Sequence, residues 1–472
     1  MFFDSTVFFV FLIIVVAVYW RLGYRRQNWF LLVCSYFFYG WWDYRFLFLM
    51  GASTCINYYL SHRLETLGDP RTRKRLLIAA LVLNFSFLGF FKYFNFFTDS
   101  FLELLRSFGV DASAKHWLTI LLPPGISFYT FQEVAYLVDV YRRDIPPARR
   151  LTDYALFVSV FPHLIAGPIQ RPNHLLPQVQ QPRTRDPQRF FDGLLLILEG
   201  AFRKIVIADN CALVADAAFS GKLGGPNLPV VMLGAFAFAW QIYGDFSGYS
   251  SMARGAAQLL GLHFMVNFQQ PYLATSLQSF WRRWHISLST WLRDYLYIAL
   301  GGSRQGVFKT YRNLLYTMVL GGLWHGANWT FVIWGAIHGA GLALERFFGA
   351  GAESNSCGAP SIAAQWLRRV VVFNLVGISW VFFRAPSVAE ASTFLAGAAH
   401  WSWVPEYAVA FKFLGFFAIL LFCCDLRIER CREEYAFQNQ RLSVRVGFGV
   451  LLVLLIFLLG ANQSNAFIYF QF

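Results

Sequence analysis

Long, uninterrupted apolar runs recur along nearly the whole chain, with short basic stretches between them. The first covers roughly Val7 to Tyr19. Others follow to about Leu60, Lys92 and Tyr141, and two or three more finish the chain. A helix needs roughly 20 mostly apolar residues to cross a bilayer, and its backbone polar groups must be satisfied within the segment. The runs lack the alternation of a membrane β-barrel, so they suit helices. Composition agrees: of 472 residues, 57% are hydrophobic and 14% charged, against about 25% charged in soluble domains. The expected fold class is an all-α polytopic membrane protein with about 11–13 transmembrane or re-entrant helices.

The net charge is +14. On a soluble protein this would point to nucleic acid. Here Lys and Arg gather between apolar runs, as in cytoplasmic loops, so the expected partner is a lipid bilayer and not nucleic acid. The basic stretches 21–28, 61–75 and 142–150 are placed in the cytoplasm. The N-terminus then lies outside, in the periplasm of a double-membraned host. The first run has no basic n-region and no small-residue cleavage site, so it reads as a retained helix. Single cysteines introduced at 68 and 146 should be labelled by an impermeant reagent only from the cytoplasmic side. Labelling of both from outside would reverse this topology.

Aromatic residues make up 19% of the chain, and that richness alone suits helix packing and lipid contact. Seven cysteines (Cys34, Cys55, Cys211, Cys357, Cys423, Cys424 and Cys431) fall mostly in apolar runs, without CxxC spacing. They read as small apolar residues. HExxH, P-loop and dinucleotide motifs are absent from the sequence, so neither a metal nor a bound cofactor is expected.

The chain reads as one integral membrane domain over 1–472, with N-terminal helices (1–150), a core (151–349) and C-terminal helices (350–472). In the core, Phe161–Pro172 sets three prolines in an apolar stretch. Proline disrupts a helix interior. Basic segments flank 151–169 on both sides, which suggests a re-entrant loop; broken backbone at membrane depth is tolerated where protein buries it. The segment 99–115 looks amphipathic, and 350–366 and Arg427–Arg445 look like loops. No internal repeat is evident.

Two histidines stand in the apolar core: His285 within Trp281-Arg282-Arg283-Trp284-His285-Ile286-Ser287-Leu288-Ser289, and His325 within Gly321-Gly322-Leu323-Trp324-His325-Gly326-Ala327-Asn328-Trp329. Ionisable side chains at membrane depth are costly and mark functional sites. On continuous helices, Trp281, Arg282 and Ser289 would share the face of His285, and Asn328 and Trp329 that of His325. Neutral imidazole is both donor and acceptor and can serve as a general base. The glycines beside His325 allow a backbone or bulky substrate to come close. His338 lies off the helical phase of His325 and reads as structural. His163, beside prolines, is open to a cavity-lining or a packing role. Asp245 needs a partner, for which Arg282, Arg283 and Arg293 are candidates.

Phe280–Tyr297, Gly301-Gly302 and Gly322–Ala327 together resemble the membrane-bound O-acyltransferase (MBOAT) family, in its bacterial branch of polysaccharide O-acetylation. Phe161–Pro168, Asp245–Tyr249, Ser35–Trp42 and Phe467–Phe472 support the likeness. The resemblance implies helices ringed around a funnel or tunnel, and an O-acetyltransferase. His325 would hold the family's active-site position and His285 the second histidine position near the same tunnel. Trp281, Arg282, Arg283, Trp324, Asn328, Trp329, Asp245 and His163 are the accompanying candidates for the tunnel lining. The donor would be cytoplasmic acetyl-CoA, and the acetyl group would cross the bacterial inner membrane to an extracytoplasmic polysaccharide (alginate-like, cellulose or peptidoglycan) through a periplasmic or membrane-anchored partner transferase. The alternative class is a transporter or a non-enzymatic scaffold of a secretion complex, since broken helices and midplane polar groups also mark transport sites.

Overall fold

Local sequence explains where the helices begin. The computed structural model describes residues 1, 3–109, 120–165, 167–349, 361–461 and 467–468. Among these, helices account for the regular structure and no strand occurs. The chain forms two compact units, Ser5–Asp186 with Ala257–Phe264, and Pro187–Ala256 with Met265–Phe472.

In the first unit, α1 (Thr6–Tyr19) opens at Ser5, whose hydroxyl accepts from Phe8 N–H. Helices α2 (Tyr24–Gly40) and α3 (Arg45–Thr66) meet at a turn that exposes Trp41 and Trp42. Helix α4 (Pro70–Ser107) is capped by Asp69, which accepts from Arg71 N–H and Thr72 N–H, with proline at the first position. The helix ends expected near Leu60 and Lys92 are corrected: α3 runs to Thr66 and α4 to Ser107. The charges that suggested interruption are tolerated inside helices. Arg63 lies in the last turn of α3, where the helix dipole favours a cation. Lys92 stays inside α4 and lies 3.4 Å from Ser127 Oγ. Residues 99–107 of the supposed amphipathic segment continue α4, and its residues 110–115 lie outside the described residues.

Helix α5 (Ile126–Arg142) is bounded by left-handed Gly125 and Arg143. Around the proline-rich stretch the chain forms three short helices, α6 (Leu151–Ser159), α7 (Phe161–Leu164) and α8 (Pro172–Val179). Pro162 and Pro172 stand in first turns, where a missing N–H is harmless. At the break between α6 and α7, Phe161 N–H donates to Ser35 Oγ at 3.0 Å.

The second unit holds α9 (Pro187–Ala201), α10 (Asp209–Phe219), α11 (Leu228–Leu259), α12 (Leu277–Arg283), α13 (Ile286–Trp291), α14 (Val307–His325), α15 (Trp329–Phe347), α16 (Ile362–Arg384), α17 (Val388–Ala396), α18 (Pro405–Cys431) and α19 (Leu442–Leu459). Among the described residues five helices, α4, α11, α16, α18 and α19, are long and apolar enough to cross a membrane. Helix α11 is mostly buried, whereas α4, α18 and α19 leave most of their apolar surface exposed. Phe97 and Phe457, at 66% and 86% exposed, are placed for lipid. The polar loop expected at 427–445 shrinks, because α18 reaches Cys431 and α19 starts at Leu442. Residues 361–366 of the expected 350–366 loop are likewise the cap and first turn of α16, with Ser361 as N-cap. Residues 350–360, including Cys357, lie outside the described residues.

A π-helical turn over Phe202–Ala208 links α9 and α10 and sends two adjacent cations into separate buried networks. Arg203 pairs with Glu199 at 2.7 Å and Asp425 at 3.3 Å, with Tyr243 Oη 3.2 Å away. Lys204 pairs with Asp209 at 2.9 Å and Asp245 at 3.0 Å. Lys204 is therefore the partner of Asp245, in place of the three arginines suggested by sequence. The other carboxylate oxygen of Asp245 accepts from Ile468 N–H at 2.7 Å. Phe467 stacks on Tyr249 with ring centres 4.2 Å apart. The rest of the terminal segment, 469–472, lies outside the described residues.

Candidate active site

The helix expected to carry His285 is broken at His285 itself. Helix α12 stops at Arg283, α13 starts at Ile286, and His285 takes a left-handed backbone (φ 43°, ψ 53°). This region is strained for most L-residues but is visited more often by His, Asn and Asp. The single helical face uniting Trp281, His285 and Ser289 is accordingly absent. Asn267, on the extended segment after α11, holds the break together. Its backbone carbonyl accepts from Ile286 N–H at 2.9 Å. Its side-chain Oδ1 accepts from Ser287 N–H at 3.2 Å and from Ser287 Oγ at 2.9 Å. Asn267 thus caps the orphan donors at the start of α13.

The same oxygen lies 3.2 Å from His285 Nδ1. A carboxamide oxygen can only accept, and two further donors fix its orientation, so Nδ1 carries the proton. In the neutral ring, Nε2 then carries the lone pair. The side chain is fully buried. Phe246 meets its ring edge-on at 4.6 Å and Trp324 lies 5.9 Å away, centre to centre.

His325 ends α14 and is 4% exposed. Its ring centre lies 6.3 Å from that of His285. Trp324, Trp334 and Phe383 surround it at 5.1, 5.2 and 5.3 Å. The two histidines of the sequence are therefore brought together within one aromatic enclosure. The α14–α15 hairpin closes tightly because glycine lines the contact. A Cβ at Gly322 would stand 2.2 Å from Phe331 O, and one at Gly335 2.3 Å from Met318 O. The room that glycine leaves beside His325 is filled by Phe331, its backbone against Gly322 and its ring against Gly326.

Asn328 and Trp329 lie past the end of α14 and do not share a helical face with His325. Asn328 caps α15 through Thr330 N–H and donates to Pro386 O at 2.8 Å, and Trp329 is 54% exposed. Arg283 is clasped by Glu429, with both oxygens at 2.9 Å. Arg282 instead lines a cavity of about 550 Å³ with Trp281, Ser289, Thr290, Arg293 and Arg346. Met318, two turns before His325 on α14, also faces this cavity.

His338 has both ring nitrogens engaged. Trp281 Nε1–H donates to Nδ1 at 3.3 Å. Nε2 donates to Ser379 Oγ at 3.0 Å, since the Ser379 proton goes to Val376 O. His163, in the first unit, is also engaged at both nitrogens, by Gln132 at 3.2 Å and Phe157 O at 3.1 Å. Sequence reasoning missed Asn267 and Trp334. Asn267 is 18 residues from His285 with no motif to mark it. Trp334 stands one turn before His338 on α15 with no motif to mark it, and its indole N–H is buried beside His325 without an acceptor.

Comparison with known proteins identifies the family. The profile of the membrane-bound O-acyltransferase family matches residues 149–384, which contain both histidines. The probable alginate O-acetylase AlgI of Pseudomonas aeruginosa is 48% identical over 394 residues, covering 83% of this chain and 73% of that protein. The probable alginate O-acetylase AlgI of Pseudomonas putida is 41% identical over the full length of both. The peptidoglycan O-acetyltransferase of Helicobacter pylori is 37% identical, covering 78% of this chain and 72% of its own. On this family match and these relatives, the chain belongs to the membrane-bound O-acyltransferase family and is an O-acetyltransferase.

Proposed function

We propose that this enzyme takes an acetyl group from acetyl-CoA on the cytoplasmic side of the bacterial inner membrane and delivers it, through a periplasmic or membrane-anchored partner, to hydroxyls of an extracytoplasmic polysaccharide. Alginate is the first candidate acceptor, on the higher identity to the alginate O-acetylases; peptidoglycan is second. The observation that carries the reading is the 6.3 Å pairing of His325 with His285, whose Nδ1 is pinned by Asn267.

His325 acts as general base. It takes the proton of an acceptor hydroxyl, whose oxygen attacks the thioester carbonyl. The C–O bond forms, the C–S bond breaks, and the imidazolium returns its proton to the thiolate. His285, with Nδ1–H committed to Asn267, presents an acceptor at Nε2; in this tautomer it orients or shares the hydroxyl proton and does not donate to the oxyanion. The Trp334 indole N–H is the donor available to the developing negative charge. Arg282, Arg293 and Arg346 at the cavity suit the donor's phosphates. From Met318 the α14 axis covers roughly 10 Å to His325 at 1.5 Å per residue, a span for the donor's flexible arm.

Purified enzyme incubated with radiolabelled acetyl-CoA tests this. Slow release of CoA without acceptor, lost on substitution of His325, is expected. No release from protein that binds acetyl-CoA would overturn the reading. Mass spectrometry of the same sample separates two chemistries, since an acetyl-histidine peptide would make His325 the nucleophile.

A further inference from the structure

The most deeply buried carboxyl of the first unit has no counter-charge. Glu133, in α5, is 0% exposed. No Lys, Arg or His side chain pairs with it among the described residues. An isolated carboxylate in low dielectric is very costly, and an ionisable group among membrane helices calls for a partner.

The groups around Glu133 are oxygens. Ser53 Oγ–H donates to its Oε2 at 2.5 Å. Its Oε1 has no hydrogen-bond partner. Thr54 Oγ1 lies near the same carboxyl without completing a hydrogen bond, and it too is buried and unpartnered. Tyr129 and Tyr154 lie within electrostatic reach of Glu133, and both hydroxyls are buried without a partner. Ser53, Thr54 and Asn57 sit within about one turn in the middle of α3. The Asn57 amide donates to Asn84 Oδ1 at 3.0 Å and to Ser53 Oγ at 3.3 Å and also favours the ionised carboxyl, but it brings no positive charge. Unsatisfied buried polar atoms in such a cluster require an explanation, often an absent water or ion.

We propose that Glu133, Ser53 and Thr54 form a site for a monovalent alkali cation of the size of sodium. One carboxylate supplies one negative charge, which a monovalent ion neutralises. Calcium and magnesium favour larger or more strictly octahedral oxygen sets, usually with several carboxylates or waters. The hydroxyl oxygens of Ser53 and Thr54 add hard oxygen donors beside the carboxylate, and the ion fixes α3 against α5.

The test uses the full chain in nanodiscs, melted in sodium chloride and in equimolar choline chloride, with sodium NMR line width followed in parallel. Sodium is expected to raise the melting temperature saturably by several degrees and to show line broadening that choline does not reverse. Glu133→Gln removes both effects. Thr54→Val keeps the side-chain shape, deletes one oxygen, and shifts the half-saturating sodium concentration upward by about tenfold; this arm reads out even where Glu133→Gln fails to fold. Identical melting in both salts without line broadening would overturn the proposal and identify a neutral carboxylic acid. Retention of the full sodium effect in a folded Glu133→Gln would overturn it as well.

Discussion

Replacement of His325 by alanine is expected to lower acetyl transfer by about 10²–10⁴-fold, the usual contribution of a general base. The ring occupies the centre of an aromatic enclosure, so its deletion also leaves a cavity beside Trp334 and Phe383. A cavity costs stability. His325→Gln fills more of that space and separates the two effects: it should reach the membrane in wild-type amounts and remain inactive. The measurement is acetyl content of the polysaccharide in complemented cells, alongside the amount of protein in the membrane fraction. Wild-type acetylation in either variant would remove His325 from the chemistry.

Asn267→Leu is expected to lower turnover by about 10²-fold with little change in KM for acetyl-CoA, as loss of a group that orients a catalytic ring does. Leucine has a similar volume but accepts no hydrogen bond. It would release His285 Nδ1 to the wrong tautomer and leave Ser287 N–H and Oγ–H without their acceptor. Asn267→Asp keeps an acceptor in place and should recover part of the rate, at the cost of the Nδ2–H bond to Ser250 Oγ. Full turnover in Asn267→Leu would show that the tautomer of His285 does not matter to the reaction.

The sequence reveals what depends on local pattern. The apolar run of α1, the aromatic turn at Trp41 and Trp42, and the two framed histidines all rest on residues that are neighbours in the chain. Helix ends were less legible, because a charge such as Lys92 can stay inside a helix when its long stem reaches a polar partner. Contacts across the fold were invisible. Asp245 finds Lys204 on another helix, and Asn267 reaches across a chain reversal to His285. The break at His285 was hidden for a related reason. Helical spacing predicts one continuous face there, whereas the helix breaks at His285 and Asn267 supplies the missing helical acceptors.

The left-handed backbone of His285 has a consequence for genetics. A substitution at this position alters an imidazole and a bend together, so the common alanine change would mix lost chemistry with a mis-set junction between α12 and α13. Glycine tolerates the conformation freely, and asparagine is among the residues that adopt it most readily. The pair His285→Gly and His285→Asn therefore isolates the ring, and β-branched replacements such as valine would instead report how rigidly the bend itself is required.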